Sequence, residues 1–462
     1  MKLPAINPIM LKELRQLVRS RIVTFGTLLY PALLLFITFI VLNVEMRDKT
    51  PEAIAFGSGL GDPPFIATAI VTGVAVALFI PFNIATKTIT ETLNERMGLE
   101  FITALTPAQI VRGKLMAGAV LMAATTALAL PFFALAYLMR GVSMAQTLGT
   151  PLAILAGGIL ILALLLTLAF SRLPPVARRT LIIGFFIVGL WGPLSAIFAF
   201  FFDGWHGGVW MTSGNAVLTI LTLLLGYFGF IALFVTAAAS QIAPIGTDSM
   251  RPLRRMEAAF FAASLILLLA SSPDANGIKA WQTFWMVSAA IIGFRAAFAE
   301  PHLPRIVRAT APRSVFTRFV TFPFRTGGYA GVAFSFLLAA VSGGTALLLR
   351  HFSGSGFLIY VEVMTIATLA LAILTSAKAA PQKRKAVSIA CLVWIGLASM
   401  APIFENIHIL PEELGRLLLG NLSCAIRKPG EVPALVFTFT AVALPLTLLG
   451  IVRAFREYRR VR

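Results

Sequence analysis

Apolar residues run along this chain in stretches of about 20, separated by short polar segments. A helix of that length rises about 30 Å, the thickness of a bilayer's hydrocarbon core. Twelve spans are predicted, over about 22–43, 65–86, 115–138, 149–170, 181–202, 214–239, 257–272, 281–299, 328–349, 357–377, 387–405 and 432–452. The stretches are continuous and carry no polar face of period two, which excludes barrel strands. The expected fold is an all-α polytopic membrane protein with about twelve transmembrane helices. Lys12, Arg15, Arg19 and Arg21 precede the first stretch as they would in a signal peptide. That stretch is too long and lacks a small-x-small cleavage site, so it is expected to stay attached as the first span.

Composition sharpens the picture. Of 462 residues, 58% are hydrophobic and 12% charged, which inverts what a water-exposed surface needs. Soluble enzymes, disordered scaffolds and disulfide-rich secreted modules are excluded. The net charge of +19 would suit nucleic acid until its placement is considered. With the N-terminus inside, the inner segments hold 29 Lys and Arg, the outer loops 8, and Arg295 lies within the eighth span. The positive-inside rule is then met in every alternate loop, placing both termini in the cytoplasm and assigning the basicity to topology, with no nucleic-acid partner. Localisation in a cell membrane, expected to be a bacterial inner membrane, follows. Cys391 and Cys424 are too few for a metal site or disulfide framework.

Three loops are longer than the rest, 44–64, 87–114 and 406–431, and a fourth segment, 300–325, is rich in proline. Residues 44–64 hold Glu45, Asp48, Glu52 and Asp62 among glycines and prolines, a turn-rich outer connection. Residues 406–431 include Pro411-Glu412-Glu413, which suggests a short surface helix. In 300–325, five arginines alternate with Pro301, Pro304, Pro312 and Pro323, a pattern suited to anionic headgroups. No internal duplication relates the two halves.

Two segments carry a mechanism. Asn7 as a cap and Pro8 at the first helical position predict a helix start. Met10, Leu11, Leu14, Leu17 and Val18 follow at helical spacing, with Lys12, Glu13, Arg15, Gln16 and Arg19 facing away, so the segment is expected to lie flat in the interface. The inner loop 87–114 contains Glu91, Glu95, Arg96, Gly98 and Glu100, with Leu99, Ile102 and Leu105 on one helical face and Phe101 beside it. Thr106-Pro107-Ala108-Gln109 is a capping box with proline at the first helical position, so a new helix is predicted from there through Gly113 and Lys114. Helix, break, helix suits docking into a groove on a soluble partner; a re-entry loop on the lipid surface is the plainer alternative.

These two segments resemble the permease subunits of type-two ABC exporters. The resemblance covers about residues 1–240 and rests on Asn7-Pro8-x-x-x-Lys12-Glu13-Leu14-Arg15 and on Glu91 through Lys114. It implies an interfacial elbow helix over 1–21, a core permease domain over 22–240, and a coupling segment from Glu91 to Leu105. Thr106 to Lys114 would lead into the third span. It further implies separate ATPase subunits that carry ATP and Mg, and a homo- or heterodimer of permeases. Family members commonly have about six spans, so 241–462 forms an extension beyond the usual pattern. The chain has no G-x-x-x-x-G-K-[ST] sequence, so no cofactor, nucleotide or enzymatic activity is expected of this subunit itself.

Charges inside spans are functional by default, which singles out Glu362 and Arg295. Gly327, Gly331 and Ser335 form a small-residue ridge that another helix can approach closely. The competing reading is an ion-coupled secondary transporter of the twelve-span facilitator type, which matches in length and topology. It lacks the second-half loop equivalent and has Glu100 where a base is usual. A lipid-linked membrane enzyme using Asp48 and Glu52 is the third reading.

Overall fold

The computed structural model describes residues 7–19, 21–48, 60–93, 105–171, 175–187, 216–244, 247–270, 275–298, 314–351, 354–376 and 439–459, with positions 312 and 387 between them. Every regular element among these is helical. The chain divides into two compact units, Met1–Ala243 and Pro244–Arg462. Six of the described helices are long and apolar enough to cross a membrane: Leu29–Arg47, Asp62–Thr92, Pro107–Leu138, Met144–Ala169, Ile220–Ile242 and Gly328–Leu348. This is consistent with a multi-pass membrane protein.

The first unit begins with α1 (Pro8–Val18) and α2 (Arg21–Asp48), whose exposed Phe25, Leu29, Phe36 and Phe39 suit lipid contact. α3 (Asp62–Gly73) returns beside α2, where the Tyr30 hydroxyl donates to Thr72 Oγ1 at 2.9 Å. A π-helical turn, Val74–Phe79, joins it to α4 (Ile80–Leu93). Pro81 explains that turn: it lacks an N–H and its ring clashes with the carbonyl four residues before it, and widening the helix relieves both. The same device, Phe439–Ala443, precedes Pro445 in the second unit. Because α4 continues to Leu93, the first turns of the loop expected from residue 87 are in fact helix.

α5 (Pro107–Leu138) and α6 (Met144–Ala169) form the centre of the unit, with a helix over 175–187 (α7) and α8 (Ala216–Ile242). Val76, Ile84, Ile110, Leu115, Met122, Leu162 and Leu166 make its main core, and Ile9 of α1 belongs to it. The spans expected at 181–202 and 387–405 lie largely outside the described residues, as does the 406–431 loop.

The second unit contains α9 (Met250–Ala270), α10 (Ala275–Ala297), α11 (Val315–Thr321), α12 (Gly328–Leu348), α13 (Gly354–Ser376) and α14 (Leu444–Arg459). α10 packs on both α12 and α13. The ridge expected at Gly327, Gly331 and Ser335 is used within this unit. Ser335 Oγ donates to the Ala289 carbonyl at 2.6 Å, and a Cβ on Gly331 would clash with the Ala296 Cβ. Only a glycine allows α12 and α10 to approach this closely.

Candidate functional site

Several of the candidate residues near the N-terminus and at the described ends of the 87–114 segment meet at one place in the first unit. Asn7 caps α1 as expected, its Oδ1 accepting from the Ile9 amide at 3.1 Å. Its Nδ2 also donates to the Gln109 carbonyl at 2.8 Å, so one side chain starts α1 and ties it to the first turn of α5. Four residues on, Gly113 leaves room for α1: a Cβ there would lie 2.8 Å from the Ile9 Cβ. Leu14 packs half-buried on the same core, while Lys12 and Arg15 are exposed.

Glu13 differs from expectation. It shares a face with Ile9, one turn earlier, and is buried rather than facing away. Its burial is compensated by Lys114, whose Nζ lies 2.6 Å from Glu13 Oε1 and 2.6 Å from Glu91 Oε2. Lys87 completes the group, 3.1 Å from Glu13 Oε2 and 3.7 Å from Glu91 Oε1, with a further bond to Gln16 Oε1 at 2.9 Å. Two acids and two bases from α1, α4 and α5 thus form a neutral, largely enclosed clamp. Burial by itself would raise the Glu13 pKa; attraction and hydrogen bonds from Lys114 and Lys87 outweigh it and hold the carboxyl below its ordinary value of 4.5.

The clamp grips both sides of residues 94–104. On the leading side, Glu91 and Thr92 occupy the last turn of α4, and Arg178 of α7 reaches Thr92 Oγ1 at 3.3 Å and the Ala169 carbonyl at the end of α6 at 2.8 Å. On the trailing side the predicted capping box is present: the Gln109 amide donates to Thr106 Oγ1 at 3.4 Å and the Thr106 amide to Gln109 Oε1 at 2.8 Å, with Pro107 opening α5. Leu105 before the cap and Ile110 within it join one apolar cluster, the arrangement of a hydrophobic staple. Glu95, Arg96, Gly98, Leu99, Glu100, Phe101 and Ile102 lie outside the described residues.

Sequence reasoning missed the partners of Lys114. The available signal was an ionisable residue two turns into an apolar helix, which must find a counter-ion. Lys87 and Glu91, four apart on α4, were a second signal. Nothing local marks Arg178. The two charges expected within spans belong to the second unit. Glu362 lies within α13, its side chain outside the described ones, and Arg295 is exposed in the last turn of α10 with Glu257 in its field. No group of three His, Cys, Asp or Glu among the described residues is placed to hold a metal ion. No family model, curated protein or solved structure matches the chain.

Proposed function

We propose that this chain is the membrane-spanning permease subunit of an ATP-binding-cassette exporter. In this reading it has about twelve spans with both termini cytoplasmic, works as a homo- or heterodimer, and is driven by separate ATPase subunits that hold ATP and Mg. The observation that supports the reading is the clamp: the described residues on either side of 94–104 are fixed to each other and to α1 by Glu13, Lys87, Glu91 and Lys114. A segment mounted in this way transmits force. Displacing it moves α1, α4 and α5 together, because breaking a buried ion pair costs several kcal/mol, roughly 3–5. Closure of a docked ATPase would bias the bundle between two packings through this mount.

The test is a mild-detergent pull-down of the tagged chain from its native membranes, with co-purifying proteins identified and ATP hydrolysis measured. The reading expects an ATPase with a phosphate-binding loop, lost in Leu99→Asp. Leu105 packs against the apolar core, so its substitution perturbs the bundle as well. A chain that purifies alone, under conditions where control complexes survive, would instead favour ion-coupled transport.

A further inference from the structure

Two apolar clusters follow one another along the helices of the first unit. One joins Tyr30 and Leu34 of α2 with Phe65 of α3 and with Ala129 and Phe133 of α5. The other joins Val76, Ile80 and Ile84 with Leu115 and Met122 of α5 and Leu162 of α6. Two long helices run through both. Along the continuous helix of α3 and α4 the boundary falls between Ala75 and Val76, and along α5 it falls between Met122 and Ala129. The packing partners change at the same place, since α3 packs on α2 and α5 whereas α4 packs chiefly on α6.

Both helices carry a weak point where they cross this boundary. In the first it is the π-helical turn Val74–Phe79. The Ile80 amide reaches back five residues to the Ala75 carbonyl, so the Val76 carbonyl falls to residue 81, and Pro81 has no N–H to give. α6 supplies no side chain in its place: it meets this carbonyl with Gly158, where a Cβ would lie 3.0 Å from the Val76 oxygen. In α5 the hydroxyls of Thr125 and Thr126 donate back to the carbonyls of Leu121 and Met122 at 3.0 and 2.9 Å, a pattern that bends helices. Gly158 ties the two features to one level, because the same Cβ would lie 3.0 Å from Met122 Sδ. On either side the helices are fastened to each other. The Tyr30 hydroxyl joins α2 to Thr72 of α3 before the turn, and Lys114 joins α5 to Glu91 of α4 after it.

We propose that the first unit hinges at this level. The π-helical turn and the Thr125–Thr126 pair bend together, so that the Tyr30 cluster and the Met122 cluster move as two blocks. The hinge does not depend on what drives it, and so not on the permease reading.

The test uses the full chain with Cys391→Ser and Cys424→Ser, reconstituted in lipid and spin-labelled at pairs of introduced cysteines for electron–electron distance measurement. Phe25, Thr90, Arg112 and Leu130 are exposed, so labels there leave the packing alone. A bend of about 20° swings the Thr90 end of α4, about 20 Å from the turn, sideways by about 7 Å. The Phe25–Thr90 pair, which straddles the hinge, is therefore expected to show distances spread over several ångströms more than Phe25–Leu130 or Thr90–Arg112, which lie within one block each. Pro81→Ala restores a backbone donor to the turn and should narrow the straddling pair while leaving the other two unchanged. Thr125→Val with Thr126→Val, which keeps shape and removes the hydroxyls, should narrow it as well and decides the matter where Pro81→Ala does not fold. A Phe25–Thr90 distribution as narrow as the pairs within a block would overturn the hinge. A broad one that neither set of substitutions narrows would overturn its placement at these residues.

Discussion

Replacing Lys114 with methionine removes the central charge of the clamp while keeping most of the side-chain length. In the intact protein its ammonium lies 2.6 Å from both Glu13 and Glu91, the lysine 2% exposed and the glutamates 5% and 17%. Removing one partner of a buried pair costs about 3–5 kcal/mol, because the remaining charge stays buried without its counter-ion. Lys87 still faces both acids and is one-third exposed, so the lower end, about 3 kcal/mol, applies. α1 is only three turns long, and its other described ties to the bundle include Asn7, the bond from Lys87 to Gln16 and apolar contacts. The loss therefore falls on its docking, and about 3 kcal/mol is roughly a 150-fold change in the local opening equilibrium. Deuterium exchange over residues 8–18 should accelerate by about that factor, while the middle of α5 keeps its protection. A second variant, Lys114→Met with Glu13→Leu, should recover part of the protection, since an apolar pair of similar volume replaces a buried ion pair at little cost. Exchange of α1 unchanged by Lys114→Met would refute the claim that these ion pairs hold it.

Acid should loosen the same contact. The Glu13 carboxyl has its pKa lowered in the folded protein, so its contribution is fully present above the ordinary value of 4.5 and is lost as pH falls below it. α1 protection, corrected for intrinsic exchange, should therefore be flat from neutral pH down to that value and decline beneath it; a decline centred near neutrality would contradict this. Thr106→Ala removes the capping oxygen of α5 and should cost about 1 kcal/mol, read as faster exchange of the first turn of α5 with the rest of the helix unchanged. Gly113→Ala places a methyl group 2.8 Å from the Ile9 Cβ and should cost about 1–3 kcal/mol of α1 docking. Full retention of exchange protection in that variant would show that the close approach is dispensable.

Local signals in the sequence translated well into local structure. Asn7-Pro8 starts a helix, and Thr106-Pro107-Ala108-Gln109 forms the capping box, because both depend on backbone donors within three residues of the cap. The apolar periods located α2, α5, α6, α8 and α12. Glu13 was misread for the complementary reason: its polarity suggested an outward face, and only the tertiary placement of Lys114, about a hundred residues away, makes burial tolerable. The end of α4 was also misplaced, since Lys87 and Glu91 look like loop residues until they are seen to pair across one helical turn. Arg178 could not be found from sequence at all, because its acceptors are Thr92 and a backbone carbonyl at Ala169. The small-residue ridge was legible as a surface for close approach, but its partner, α10, was not, because spacing on one helix does not say which helix fills it.

The proposed docking of the segment from Glu91 to Leu105 on an ATPase is the central claim. It is tested most directly by placing a photo-crosslinking amino acid at Ile102 and irradiating intact native membranes. The expected result is a single protein adduct whose partner carries a phosphate-binding loop, and whose yield falls when Leu99→Asp is added. An adduct with lipid alone, in a chain that still inserts and folds, would contradict the account.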